Sequence, residues 1–246
     1  MDTKLIEDHQ ARSRDTSIYK YRAMSMTEKI RAALARISLI LLHKVYTRRW
    51  IEWRGLRLYI SKSCFIPLHT MSSDILADFV NPRGRVLDIG CGCGSLAIYL
   101  AREWRVHVVG YDIDPHSIAT ARINAIVNRV SELTHFTLSL NTIPRHGFDT
   151  VVSNPPYLPL EPRKPMDKLW CCGSDYRVLQ QILLLARYAL RAGGRLYIAL
   201  SSITPLENGL ALAKVLGFDV EDVVCRPSPL DRVCAVRLRL RNVVIN

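Results

Sequence analysis

Residues 86–94 read Val86-Leu87-Asp88-Ile89-Gly90-Cys91-Gly92-Cys93-Gly94. An apolar run breaks into glycine at every second position, then from Ser95 to Arg102 into a helical pattern. This is a strand, a tight turn and a helix, with Gly90 and Gly92 letting the backbone approach a ligand with no Cβ in the way. A dinucleotide-binding GxGxxG would place its third glycine at position 95, which is Ser95. Glycines at 90, 92 and 94 therefore argue against a pyrophosphate cradle.

Outward from this unit the pattern repeats. Strands are predicted over 85–89, 106–111, 135–140, 148–153 and 195–200, with helices over 72–80, 95–102, 115–128, 176–190 and 206–216. Ala192-Gly193-Gly194 reads as the stop between the helix at 176–190 and the strand at 195–200. Alternation of this kind predicts a doubly wound, mostly parallel seven-stranded sheet with ligands at the strand carboxyl ends. Strands over 219–225 and 233–240 have no helix between them and should form an antiparallel hairpin at one edge. Asp112 ends the second strand and, as an ionised acceptor, suits a pair of ribose hydroxyls. Asp114, just before Pro115, more naturally caps the next helix.

The 246 residues carry a net charge of +12, unevenly placed. Residues 1–62 hold 14 Lys/Arg against 6 Asp/Glu, and the rest hold 20 against 16. A basic arm on a nearly balanced body suits an anionic partner such as RNA, or is simply a solvated extension. Within it, Thr27 is the expected N-cap of a helix to about residue 46, with Ile30, Leu34, Ile37 and Leu41 as its packing face. A short hairpin around Gly55 follows. No apolar run is long enough to span a bilayer and no basic leader opens the chain, so the cytoplasm is the default compartment. The seven cysteines form no CxxC pair, so no metal site is expected. They read as small buried thiols, with a disulfide involving Cys171–Cys172 or Cys225 left open.

The second chemical signal is Val151-Val152-Ser153-Asn154-Pro155-Pro156-Tyr157. Two prolines, lacking N–H groups, end a strand abruptly at the sheet's carboxyl edge. Asn154 can offer a side-chain carbonyl oxygen and Pro155 a backbone carbonyl, while Tyr157 can cover a flat group. A planar amide or amino nitrogen is a poor nucleophile because its lone pair is delocalised. Two acceptors held against its N–H bonds keep charge on nitrogen as an electrophile arrives.

Together, "VLDIGCGCG" and "VVGYDIDP" resemble the first two motifs of the class I S-adenosylmethionine-dependent methyltransferases. "FDTVVSNPPYLPLEP" resembles the HemK/PrmC-like family, which methylates glutamine in the GGQ loop of translation release factors. The resemblance spans about 55–246 and is nearest the short archaeal and eukaryotic branch. It implies S-adenosylmethionine held along Asp88, Gly90, Cys91 and Gly92, its ribose on Asp112 beside Ile113, its adenine near Ser139 or Asn141, and Asn154 also against the cofactor. It implies a substrate amide held by Asn154, Pro155, Pro156 and Tyr157, and a small zinc-binding activator subunit. On this basis 1–49 is a basic N-terminal extension and 50–246 the methyltransferase domain. Phe65-Ile66-Pro67-Leu68-His69-Thr70 carries His69 and Thr70 where the family commonly has acids, and the extension is foreign to the short branch. An RNA or DNA amino-group methyltransferase is the alternative, and a fold retained for binding without chemistry is the third reading.

Overall fold

The computed structural model describes residues 22–203 and 206–241; the stretch 1–21 of the expected basic arm lies outside them. In chain order the elements begin with α1 (Met26–Tyr46), β1 (Arg49–Trp53), β2 (Leu56–Ile60), α2 (Met71–Phe79), β3 (Val86–Ile89) and α3 (Ser95–Trp104). Next come β4 (Val108–Tyr111), α4 (Pro115–Val127), β5 (Thr134–Thr137), β6 (Phe148–Ser153) and α5 (Arg177–Ala189). The chain closes with β7 (Leu190–Ser201), α6 (Leu206–Val215), β8 (Phe218–Pro227) and β9 (Arg232–Leu240).

Seven strands form one sheet in the order β5-β4-β3-β6-β7-β9-β8, parallel as far as β7. β9 inserts antiparallel between β7 and β8, completing the predicted hairpin. All four residues of β3 are buried, as a central parallel strand covered on both faces requires. One apolar core joins α2, α3, α4 and the β1–β2 hairpin to one face, and a second joins α5 and α6 to the other.

Several boundaries differ from expectation for local reasons. β5 ends at Thr137 rather than Leu140, because Thr137 Oγ1 accepts from the Ser139 N–H (3.1 Å) and a 3-10 turn follows. Gly193 and Gly194 do not stop a helix. α5 ends at Ala189, and β7 starts at once with an irregular register opposite Phe148–Thr150. Ser25, not Thr27, caps α1 in a reciprocal capping box with Glu28. Asp114 caps α4 as expected, accepting from Ser117 N–H (2.7 Å).

The largest departure is the orientation of α1. Ile30, Leu34, Ile37 and Leu41 face outward, each about half exposed. The helix docks by its opposite side instead, where Ala32, Ala35 and Leu39 meet Leu158, Trp170 and Ile203. The His43 ring stands edge-on to Trp170, and Arg36 pairs with the buried Asp167 (2.5 Å). Small residues and a buried ion pair outcompete bulk here, since Ala32 permits an approach that four branched side chains would block.

The seven cysteines are not all free. Cys225 and Cys234 are opposite one another on β8 and β9 and form a disulfide, leaving five buried thiols among the described residues. Cys171 and Cys172 are not part of it.

Nothing in the sequence announced how the hairpin is held. The outer edge of β2 presents the N–H and C=O of Arg57 and Tyr59, and two asparagines four apart take them. Asn124 Oδ1 accepts from Tyr59 N–H (2.7 Å) while its Nδ2 donates to Tyr59 O (3.0 Å). Asn128 does the same with Arg57 (3.0 and 2.8 Å). Four helical residues rise about 6 Å and two strand residues about 6.7 Å, so the spacings match. Asn124 Nδ2 also donates to Cys93 O (2.9 Å), joining hairpin and glycine loop through one fully buried amide. Asn124→Ala strands three backbone groups, so a loss of about 2–4 kcal/mol in urea unfolding is expected. A loss under about 1 kcal/mol would mean water replaces the amide.

Candidate functional site

β3 and β6 run side by side, paired from Val86↔Thr150 to Asp88↔Val152. Beyond the last pair, buried Ser153 donates through Oγ to Ile89 O (2.8 Å), which brings Asn154 out of β6 beside Gly90. A cavity opens there at the strand carboxyl ends. Of the predicted residues, Asp88, Gly90, Cys91, Gly92 and Asn154 line it. Phe65, Ser73, Cys93, Ser95 and Leu96 line it too and were not predicted.

The three loop glycines divide by role. A Cβ on Gly90 (φ +74°) or Gly92 (φ +53°) would meet nothing within 4 Å, so both face open space. A Cβ on Gly94 would press on Ala121, Ile98 and Phe136 at 3.0–3.1 Å, so that glycine serves packing. Asp112 holds the loop from the side: Oδ2 accepts from Gly92 N–H (2.8 Å) and Oδ1 from Asp114 N–H (3.0 Å). Burial raises its pKa, and those N–H groups offset part of the rise. Ile113, next to it, is 77% exposed. Ser139 and Asn141 lie exposed beyond the end of β5, away from the cavity lining, and neither side chain makes a hydrogen bond among the described residues.

Two buried oxygens at the cavity have no hydrogen-bond partner among the described residues: Asp88 Oδ2 and Asn154 Oδ1. Leaving such acceptors unpaired is costly, so they mark places where a donor belongs. The Asn154 amide is held from its other end, Nδ2 donating to Ser73 Oγ (3.1 Å). Pro155 is buried, Pro156 and Tyr157 are partly buried, and none of the three lines the cavity. Tyr157 packs with Leu158 and Trp170. Burial, with Asp231 nearby, pushes its phenol up to about 12, opposed by Ser72.

The fully buried Asp88 carboxyl is pushed up to about 7, first by burial and then by Asp112, against a backbone N–H at Ala97. The folded chain therefore keeps a proton that the unfolded chain releases near pH 4. Stability from this group is complete below about pH 4 and is lost as pH rises toward 7. Burial lowers the pKa of His43, which acts in the opposite sense. Comparing the wild type with Asp88→Asn isolates the carboxylate. Without ligand, the variant should gain on the wild type in urea midpoint between pH 5 and pH 7.5. A constant difference would refute the raised pKa.

An S-adenosylmethionine molecule fits this chemistry. Its ammonium carries an N–H donor for the orphaned Asp88 Oδ2, the space above Gly90 and Gly92 is open, and Phe65 and Leu96 supply apolar walls.

Comparison with known proteins agrees. Residues 70–219 match the family described as "Methyltransferase small domain". The chain is 30% identical to a candidate protein N5-glutamine methyltransferase of Methanocaldococcus jannaschii, over 70% of this chain and 89% of that one. It is 31% identical to the release factor glutamine methyltransferase of Geobacter sulfurreducens, over 76% and 70%. Among solved structures, Pyrococcus abyssi tRNA (uracil-54, C5)-methyltransferase with S-adenosyl-L-homocysteine superposes at TM-score 0.53. At 19% identity, over 77% of this chain and 44% of that one, this likeness speaks for the fold alone.

Proposed function

The chain belongs to the methyltransferase small-domain family as a HemK/PrmC-like class I enzyme, and we propose that it methylates a glutamine side chain in the GGQ loop of a translation release factor. It is an S-adenosylmethionine-dependent N-methyltransferase; the acceptor is the inference. One observation carries it: the buried, unpartnered Asn154 Oδ1 at the end of β6, beside the glycine loop.

S-adenosylmethionine, when bound, supplies an electrophilic methyl group. Asp88, Gly90, Cys91 and Gly92 would hold its amino-acid end, Asp112 its ribose, Ile113 one face of its adenine, and Ser139 or Asn141 its amino group. Asn154 Oδ1 and the Pro155 carbonyl would accept from the two N–H bonds of the substrate amide, holding its nitrogen lone pair toward the cavity. Pro156 and Tyr157 would keep that turn rigid, Tyr157 from within the protein. No strong base is required, because the proton becomes acidic only as the nitrogen acquires its fourth bond.

A second surface supports a partner subunit. β5 is an edge strand, and Ile123, Ile126 and Val127 of α4 are exposed near it with Leu138 and Leu140. An open edge with an apolar flank suits a small activator. Residues 50–246 would then be the catalytic domain and 1–49 an accessory arm. The competing nucleic-acid reading draws on that arm, where Lys29, Arg31, Lys44, Arg48 and Arg49 form no ion pair among the described residues.

The deciding experiment incubates the enzyme, with and without a zinc-binding activator, with labelled S-adenosylmethionine and either a release factor or ribosomal RNA. Mass spectrometry should place the methyl on the GGQ glutamine. Label on RNA only, falling steeply with salt, would overturn the protein reading.

A further inference from the structure

We infer that the hydroxyls of Thr70 and Ser73 form a relay that sets which end of the Asn154 amide faces the substrate. The inference rests on the proposed role of Asn154 as an acceptor. Asn154 can satisfy the chemistry in only one of two orientations, because its oxygen accepts and its nitrogen donates. Rotated by half a turn, it would aim N–H bonds at the N–H bonds of a substrate amide.

Thr70 Oγ1 lies 2.8 Å from Pro67 O and 3.0 Å from Ile66 O, and carbonyl oxygens only accept. The same hydroxyl is also directed as a donor at Ser73 Oγ at 3.5 Å, an orienting contact weaker than a full hydrogen bond. Ser73 Oγ therefore faces donors on two sides, and Asn154 Nδ2 donates to it at 3.1 Å. Asn154 Oδ1 is left buried and unpaired at the cavity.

Thr70 is 6% and Ser73 4% exposed, so water cannot easily replace either hydroxyl. Both lie at the entry to α2, among the buried residues of its first turn. These are positioning residues: Thr70 acts through Ser73, and Ser73 through Asn154.

The test compares Ser73→Ala, Ser73→Thr and Thr70→Val with the wild type. For methyl transfer to a release factor, Ser73→Ala should lower kcat by about 10-fold, the scale of one buried hydrogen bond, with the KM for S-adenosylmethionine within about twofold. Ser73→Thr should restore most of the rate, and Thr70→Val should fall between. An independent readout is the Asn154 side-chain amide in 15N NMR without substrate. Its N–H protons should be protected from exchange in the wild type and in Ser73→Thr, and lose protection in Ser73→Ala.

A Ser73→Ala rate within twofold of the wild type, or unchanged amide protection, would overturn the relay. So would a rate loss accompanied by weakened cofactor binding and not restored by Ser73→Thr, which would mark a merely structural role. If the wild type itself transfers nothing to the factor, the substrate reading fails, and the NMR comparison still decides the relay.

Discussion

Asn154→Ala should reduce methyl transfer by about 100- to 1,000-fold while S-adenosylmethionine binds with nearly wild-type affinity. The size is that of removing one preorganised polar group aimed at a reacting centre, about 3–4 kcal/mol of barrier. The selectivity follows from position. The Asn154 side chain makes no hydrogen bond to the glycine loop among the described residues, and its amide is held from behind by Ser73. Alanine removes the unpaired Oδ1 and leaves Ser153, which sets the strand ending, in place. Single-turnover transfer and calorimetric titration of the cofactor separate the two effects. Transfer at the wild-type rate would remove Asn154 from the mechanism whatever the acceptor is.

Asp112→Ala should do the reverse and weaken S-adenosylmethionine binding by about 100-fold, while retaining much of kcat at saturation. Two hydrogen bonds from ribose hydroxyls to a largely buried carboxylate would be lost, each worth about 1.5–3 kcal/mol before compensation. The glycine loop would also lose an anchor, since Asp112 accepts from both Gly92 N–H and Asp114 N–H. Calorimetry measures the first effect, and amide exchange at Gly92 reports the second. A Kd within threefold of the wild type would place the ribose elsewhere.

Both predicted clusters were legible in the sequence because their constraints are local. Glycines at φ +74° and +53° announce a turn wherever they stand, and consecutive prolines end a strand without help from the rest of the fold. What stayed hidden depends on partners far along the chain. Asn124 and Asn128 look like ordinary polar residues until a strand edge 65 to 71 residues away meets them. The outward turn of Ile30, Leu34, Ile37 and Leu41 could not be read from their spacing, since periodicity shows that a face is apolar but not what it meets. Ser73 carried one faint sign, a buried-helix pattern with two adjacent serines in its first turn. The pairing of Cys225 with Cys234 needed the β8–β9 register.

The bond from Ser153 Oγ to Ile89 O spans the seam between the cofactor loop and the substrate turn. Because that bond joins the two sides, ordering the loop on one side should also order Asn154 on the other, so that the two ligands share a single conformational cost. Thermodynamic linkage then makes the benefit reciprocal. Whatever factor S-adenosylhomocysteine adds to the affinity for a substrate peptide, the peptide adds the same factor to the affinity for S-adenosylhomocysteine. Replacing Ser153 with alanine should bring both factors toward one together.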